Sequence, residues 1–334
     1  MKAGFSDLTN FLSKLTFSKI INAVLIYKSY YLSIILRKPI HWGMPLSASI
    51  EATTNCNLRC PECPNGLRQF TRPTGTLDLA NFRKYVDKIE NHLIYLMIYF
   101  QGEPYMNKYF FEFVKYAKSK NLYTATSTNG HFLDNENARQ TVISGLDRMI
   151  ISLDGTNQGS YSSYRIGGDF EKVISGIKNV VAWKKKLKAK KPYIILQFLV
   201  LKTNEHQIAE IQELSKDLGV DELQLKSAQF YDYNNRNQLM PTNTEYARYH
   251  KNADGTYSLK KEIKNRCLRM WQSLVITWDG KVIPCCFDKD AHHQLGNLNT
   301  NSLKEIWKSN EYKALRKQIL KNRKSIAICN NCTE

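Results

Sequence analysis

Ser47-Ala48-Ser49-Ile50-Glu51-Ala52-Thr53-Thr54-Asn55-Cys56-Asn57-Leu58-Arg59-Cys60-Pro61-Glu62-Cys63 is the stretch on which the reading of this chain turns. Residues Ser47 to Thr53 read as a strand, and the cysteines that follow directly stand in a C-x3-C-x2-C spacing. Three thiolates converging from one loop suit three corners of a cubane 4Fe-4S cluster. The fourth iron is then left without a protein ligand and can accept an amino-acid-like chelate from a substrate or cofactor. Ferredoxin runs supply C-x2-C-x2-C and structural zinc sites favour paired C-x2-C groups, so the spacing fits neither.

Downstream of this loop, apolar and β-branched stretches alternate with helical patterns. Strands are predicted at Tyr95–Phe100, Tyr123–Ser127, Arg148–Leu153, Tyr193–Leu201 and Glu222–Gln229, and helices at Leu79–Asn91, Tyr109–Lys120, Glu136–Ser144, Phe170–Leu187 and Glu205–Leu218. Six strands separated by five helices imply right-handed βα units, because parallel neighbours need crossover connections. The predicted fold class is α/β, with a largely parallel sheet whose chemistry lies at the carboxyl ends of its strands. Six lysines between Lys184 and Lys191 read as a solvated helix end that complements the helix dipole.

Tyr231 to Asn265 is rich in Asn, Tyr and Lys without a clear period, and reads as a linker or a lid. A smaller unit follows, in which Leu274–Thr277 and Lys281–Ile283 form a hairpin about Asp279-Gly280, and Ser302 with Glu305 caps a helix carrying Trp307. The expected division is 1–46 as an amphipathic helical segment, 47–230 as the α/β domain, 231–265 as linker or lid, and 266–334 as the C-terminal domain.

Composition sets the wider bounds. The 334 residues are 43% hydrophobic and 23% charged, which excludes intrinsic disorder. Lys and Arg number 48 against 30 acids, a net charge of +18, so the surface attracts nucleic acid, anionic lipid, a phosphorylated substrate or an acidic redox partner. Eight cysteines grouped in this way point to metal ligation in a reducing compartment, hence a cytoplasmic protein. In the first 40 residues, Leu8, Phe11, Leu12, Leu15, Ile21, Val24 and Leu25 recur at helical spacing among basic residues. Two readings stay open: the apolar faces cap the main domain, or the segment lies in the plane of an anionic membrane at the inner face. Lys28 splits the apolar runs, so neither a signal peptide nor a spanning helix is expected.

The C-x3-C-x2-C loop after a first strand resembles that of the radical S-adenosylmethionine (radical SAM) enzymes, whose fold is a partial (β/α)6 barrel of TIM type. The resemblance implies that Cys56, Cys60 and Cys63 hold a 4Fe-4S cluster that chelates S-adenosylmethionine, cleaves it reductively and yields a 5'-deoxyadenosyl radical that abstracts hydrogen. Gln101-Gly102-Glu103-Pro104 resembles the family's Gly-Gly-Glu-Pro motif, with Gln101 in place of the first glycine. Gly102 would let the backbone approach the cofactor and Glu103 would receive its ammonium, against the plainer reading of Glu103 as a helix N-cap. Ser127-Thr128-Asn129-Gly130 resembles the polar motif after the third strand, making Ser127 and Asn129 candidates for the cofactor's carboxylate or ribose. Ser152-Leu153-Asp154-Gly155 followed by Tyr164-Arg165 implies that Arg165 clamps the methionine carboxylate. Strand phase assigns Gln197, with Tyr99 and Lys226, to the barrel interior.

Cys267, the G-x4-C element from Gly280 to Cys285, Gly296-Asn297-Leu298, Trp307 and Cys329-Asn330-Asn331-Cys332 follow the order of a SPASM-type domain in a shortened, twitch-like form. The resemblance implies one auxiliary 4Fe-4S cluster closed by Cys267, Cys285, Cys329 and Cys332, with zinc as the alternative metal and Cys286 as packing. Such a cluster would accept an electron from the substrate radical or relay one to the first cluster. The implied enzyme is an oxidoreductase or related modifying enzyme acting on a small molecule, a sugar or lipid intermediate or a peptide, with an acidic flavodoxin or ferredoxin as reductant. The short helical N-terminus differs from the leader-binding domains of peptide-modifying relatives. The rival from another class is a zinc- or cluster-containing nucleic-acid-binding protein, favoured by charge but lacking a basic recognition helix.

Overall fold

The structure, a computed structural model, describes residues 4–235 and 237–333. Helices α1 (Phe5–Leu12) and α2 (Phe17–Leu36) precede β1 (Ser47–Ile50), α3 (Leu79–Ile89), β2 (Tyr95–Met97), α4 (Phe110–Ser119), β3 (Tyr123–Thr128), α5 (Asn135–Ile143) and β4 (Arg148–Ser152). Then come α6 (Gln158–Tyr164), α7 (Phe170–Lys186), β5 (Tyr193–Val200), α8 (Ile208–Asp217), β6 (Glu222–Ser227) and a hairpin of β7 (Tyr249–Lys251) and β8 (Tyr257–Leu259). The chain closes with α9 (Arg269–Gln272), β9 (Ser273–Ile276), β10 (Lys281–Ile283), β11 (Gly296–Asn297), α10 (Leu303–Trp307) and α11 (Asn310–Asn322). The six strands β1 to β6 are joined by five helical crossovers, the α/β alternation of a partial (β/α)6 barrel expected from the sequence.

Helix starts are fixed locally. Asp78, Asp134 and Asp169 each accept the N–H three residues on, which satisfies one of the orphan donors of α3, α5 and α7. Ser302 and Glu305 form the expected capping box on α10.

The chain divides into two compact units, neither of them continuous in sequence. One comprises residues up to Asn55, Phe70–Ala125 and everything from Ile263 onward. Its strand order is β11-β10-β9-β1-β2-β3. β1 runs parallel to β2, with Ser47 opposite Tyr95, and parallel on its other side to β9, with Ser47 opposite Ser273. The C-terminal hairpin therefore does not stand apart; it covers the edge that β1 would otherwise expose. Its core stacks Phe82 on Phe113 at 4.2 Å and buries Trp271, Trp307 and Arg316, the last donating to the Met270 and Trp307 carbonyls.

The other unit comprises the cysteine loop, Cys56–Gln69, and Thr126–Glu262. Its parallel strands β4, β5 and β6 pair with Ser152 opposite Gln197 and Gln197 opposite Gln224. The stretch expected to be linker or lid contains the β7–β8 hairpin, whose Asp254-Gly255 turn closes strands of only three residues each, too short to show a period.

The N-terminal helices correct an expectation. α2 runs unbroken through Lys28 and is long and apolar enough to cross a membrane, yet the side it seats on the protein is mostly polar: Lys19, Asn22, Ile26, Ser29, Tyr30 and Ser33. Only part of the apolar surface caps the domain, with Ile26 fully buried, Phe11 against Tyr123 and Tyr30 against Trp271. Phe17, Ile20, Val24, Tyr31 and Ile35 are exposed.

Candidate active site

The loop that carries Cys56, Cys60 and Cys63 leaves from the end of β1, and the chain on either side of it is clamped. Arg72 donates from both Nη atoms to the Glu51 carboxylate at 2.8 and 2.5 Å, with side chains 4% and 0% exposed. Asp290 accepts the backbone N–H groups of Thr71 and Arg72 beside this pair. Neither interaction was legible beforehand, because its partners lie 21 and 219 positions apart.

Within the loop the three thiols share one apolar cluster. Cys60 is buried with Leu58, Tyr164, Leu201, Phe230 and Met240, and Cys56 and Cys63 pack against the same group. Gly66 is required here: a Cβ would lie 2.5 Å from the Cys60 carbonyl oxygen. Donors point at sulfur. The Leu58 N–H lies 3.5 Å from Cys56 Sγ, Asn129 Nδ2 lies 3.9 Å from the same atom, and Arg165 Nη1 lies 3.7 Å from Cys60 Sγ. Burial pushes the Cys60 thiol up and the Arg165 cation opposes it, so an unligated sulfur here keeps its proton until a metal displaces it.

Arg165 is itself held. Its Nε donates to Asp154 Oδ2 at 2.5 Å, while Asp154 Oδ1 accepts the Leu199 N–H at 2.7 Å. The Arg165 guanidinium thus reaches both Cys60 and Asp154. Asp154, a buried acid at the end of β4, had no assigned role, and its pairing with Arg165 emerges only in the fold.

Asn129 is oriented through His131, which sequence reading missed. The Asp169 N–H donates to His131 Nε2 at 2.9 Å, so Nδ1 carries the proton and donates to Asn129 Oδ1 at 3.0 Å. With its oxygen fixed, Asn129 turns Nδ2 toward Asn57 Oδ1 at 2.8 Å and toward Cys56. Burial pulls the His131 pKa below its usual value, which keeps the ring neutral and the tautomer single. Ser127 and Gln197 are half-buried on β3 and β5; Lys226 on β6 is exposed, and Tyr99 is half-buried just past β2.

In the first unit, Gly102 adopts φ +74°, and a Cβ on it would meet the Thr53 carbonyl oxygen at 2.2 Å. Glu103 follows with its N–H on the Asn55 carbonyl at 2.7 Å. Its buried carboxylate accepts the Tyr105 N–H at 3.2 Å and caps a short 3-10 turn, so the plainer N-cap reading is realised. Gln101 is buried.

Three of the remaining cysteines, Cys267, Cys329 and Cys332, gather around Arg323, a buried residue sequence reading passed over. Its Nη2 lies 2.9 Å from Cys332 Sγ, and its charge acts on Cys267, Cys329 and Cys332 together. Burial pushes the Cys329 thiol up to about 11 against that cation. Cys285 interacts with Cys267 and with its neighbour Cys286, whose Sγ lies 3.8 Å from Arg269 Nη1. Among the described residues no three His, Cys, Asp or Glu side chains are set for a single ion.

Comparison with known proteins agrees. Residues 50–215 match the Radical SAM superfamily model, and residues 267–333 match SPASM, an iron-sulfur cluster-binding domain. A tungsten-containing aldehyde ferredoxin oxidoreductase cofactor-modifying protein of Pyrococcus furiosus is 28% identical over 295 residues, spanning 79% of this chain and 81% of that one. A PqqA peptide cyclase of Bradyrhizobium diazoefficiens is 26% identical over 294 residues, spanning 81% of this chain and 74% of that one. Among solved structures, Streptococcus suis SuiB bound to S-adenosylmethionine superposes with a TM-score of 0.61 at 13% identity, covering 87% of this chain and 72% of that one. BtrN in complex with AdoMet and 2-DOIA superposes with a TM-score of 0.55 at 17% identity, covering 87% and 94%. With both domains matched in order and the fold shared, the chain belongs to the radical SAM superfamily and carries a C-terminal SPASM iron-sulfur domain.

Proposed function

We propose that Cys56, Cys60 and Cys63 hold the S-adenosylmethionine-binding 4Fe-4S cluster, and that Cys267, Cys285, Cys329 and Cys332 hold an auxiliary one. The observation that carries the first assignment is the single apolar cluster shared by the three loop thiols, with N–H donors aimed at two of the sulfurs. Bound and reduced, the first cluster supplies the electron that splits S-adenosylmethionine into methionine and a 5'-deoxyadenosyl radical, which takes hydrogen from the substrate. Hydrogen bonds to cluster sulfurs tune potential, so Leu58, Asn129 and Arg165 act on the ease of that reduction. Asp154 keeps Arg165 in place, and the apolar wall of Tyr164, Leu201 and Phe230 keeps water from the loop.

The further roles proposed are close backbone approach to the cofactor at Gly102, acceptance of its ammonium by Glu103, contacts to its carboxylate or ribose from Ser127 and Asn129, a clamp on its methionine carboxylate by Arg165, and a cofactor contact from Gln197 in the barrel interior. The auxiliary cluster would take an electron from the substrate radical, making the net reaction an oxidation of a small molecule, a sugar or lipid intermediate or a peptide. Excess positive charge suits an acidic flavodoxin or ferredoxin as electron donor. The protein purified without oxygen is expected to carry about eight irons and eight sulfides per chain, the content of two cubanes. Under dithionite it is expected to release 5'-deoxyadenosine from S-adenosylmethionine. Absence of acid-labile sulfide would overturn the assignment, and deuterium transfer into 5'-deoxyadenosine from a labelled candidate would identify the substrate.

Two variants separate the roles. Cys329→Ala is expected to keep releasing 5'-deoxyadenosine while losing product, because the first cluster remains; unchanged product formation would contradict the auxiliary role. His131→Ala removes the ring bond to Asn129 Oδ1 and leaves only the backbone N–H of residue 131 on that oxygen, so the amide is held less firmly, and second-shell losses of this kind cost roughly 10–100-fold in activity. We expect a drop of about tenfold in 5'-deoxyadenosine release at unchanged iron content, with an altered EPR signal of the reduced cluster.

A further inference from the structure

The N-terminal helices are seated inside out. On α2 the buried polar groups are all satisfied: Lys19 Nζ donates to the Lys14 and Asn121 carbonyls, and Asn22 brackets the backbone of Met44 with both amide atoms at 2.8 Å. Ser33 bonds both backbone groups of Ile40, and on α1 the buried Asp7 accepts from the Tyr123 hydroxyl. These contacts hold the helices by their polar sides. Helices of proteins surrounded only by water bury the apolar stripe instead.

What faces outward is apolar and bare. Twelve of the eighteen large apolar side chains that stand exposed among the described residues precede residue 43, with Phe5 83%, Phe17 80% and Ile35 73% exposed. A groove of about 860 Å³ opens among them, lined by Ile20, Val24, Tyr27, Tyr31, Ile35 and Trp42, and Lys28 stands at its wall. Scattered exposed apolar residues are ordinary, but a contiguous face of this size marks an interaction surface.

Charge selects the occupant. Between residues 1 and 46 the sequence has one acid, Asp7, and that residue is buried, whereas Lys28, Arg37 and Lys38 are exposed beside the apolar face. A second copy of this face would bring the same three cations against one another. A surface that is apolar beneath and negative above answers both features, and Tyr and Trp at the rim suit its boundary. Because α2 is fixed along one side by its hydrogen bonds, it cannot cross. We propose that α1 and α2 bind an anionic lipid bilayer, lying in its plane with the face of Phe17, Val24, Tyr31 and Ile35 turned into the acyl boundary. This assignment stands apart from the radical chemistry.

Vesicle co-sedimentation of the full holoprotein, handled without oxygen, tests it. We expect the protein to partition onto vesicles of equal parts phosphatidylcholine and phosphatidylglycerol at least tenfold more strongly than onto phosphatidylcholine alone, about what two or three basic side chains contribute. Phe17→Ser with Ile35→Ser, and separately Lys28→Glu with Lys38→Glu, should each reduce that partitioning at least about tenfold while leaving 5'-deoxyadenosine release unchanged. Equal binding to both vesicle types, no binding to either, or serine variants that bind like wild type would overturn the proposal. So would a wild-type dimer in light scattering that becomes a monomer in the serine variant, since the occupant would then be a second copy.

Discussion

Cys60→Ala should release no 5'-deoxyadenosine from S-adenosylmethionine under dithionite, at any reductant concentration, and should carry about four fewer irons per chain than wild type. The expectation follows from where Cys60 sits. It is the buried member of the three loop thiols, it receives Arg165 Nη1, and its backbone lies against Gly66. A cubane left with two ligands from this loop is exposed to loss, and without it no electron reaches the sulfonium. Alanine removes one sulfur from an apolar cluster and leaves the fold intact, which circular dichroism would verify. The informative contrast is Cys286→Ala, expected to keep both clusters. Retained cofactor cleavage by Cys60→Ala would remove the assignment of this loop.

The second large effect is on stability. Glu51→Ala should destabilise the protein by about 3–5 kcal/mol, because it strands the Arg72 guanidinium in a site where its side chain is 4% exposed. The Glu51 carboxylate also accepts the Trp278 N–H at 3.2 Å, and that donor would be orphaned too. Replacing both partners with apolar residues, Glu51→Leu with Arg72→Met, should cost much less, since no buried charge is left behind. Urea midpoints of the two proteins without metal decide the matter: a single variant as stable as the double would show that the pair holds nothing. The Glu51 variant should also reconstitute the first cluster poorly, since the pair closes the base of the chain segments that enter and leave the cysteine loop.

Much of the architecture could be read from residues because it is written locally. The βα alternation, the Ser302–Glu305 capping box and the Asp279-Gly280 hairpin depend on neighbours within a few positions, and all appear as expected. The cysteine spacing is likewise local. What escaped is what long-range packing decides. His131 looks like an ordinary residue after a turn until Asp169 fixes its tautomer from 38 positions away. Arg323 gains meaning only when Cys267 and Cys332 close around it, and Asp154 only when Arg165 folds back onto it. The N-terminal segment is a different case: its period predicted a helix correctly, but a period cannot say which face turns inward when the polar side finds better partners than the apolar one, and so left two readings open.

The pairing of β1 with β9 has a bearing on how this chain comes to be folded. Ser47 meets Ser273 through a hydroxyl bond that spans 226 residues, so the opening strand of the barrel lacks one neighbour until most of the polypeptide has left the ribosome. Contacts so remote in sequence form slowly, and an unpaired strand invites association with other chains while it waits. Truncation before residue 273 should therefore yield an aggregating product rather than a freestanding barrel. Nascent chains would depend on chaperones for the whole of that interval.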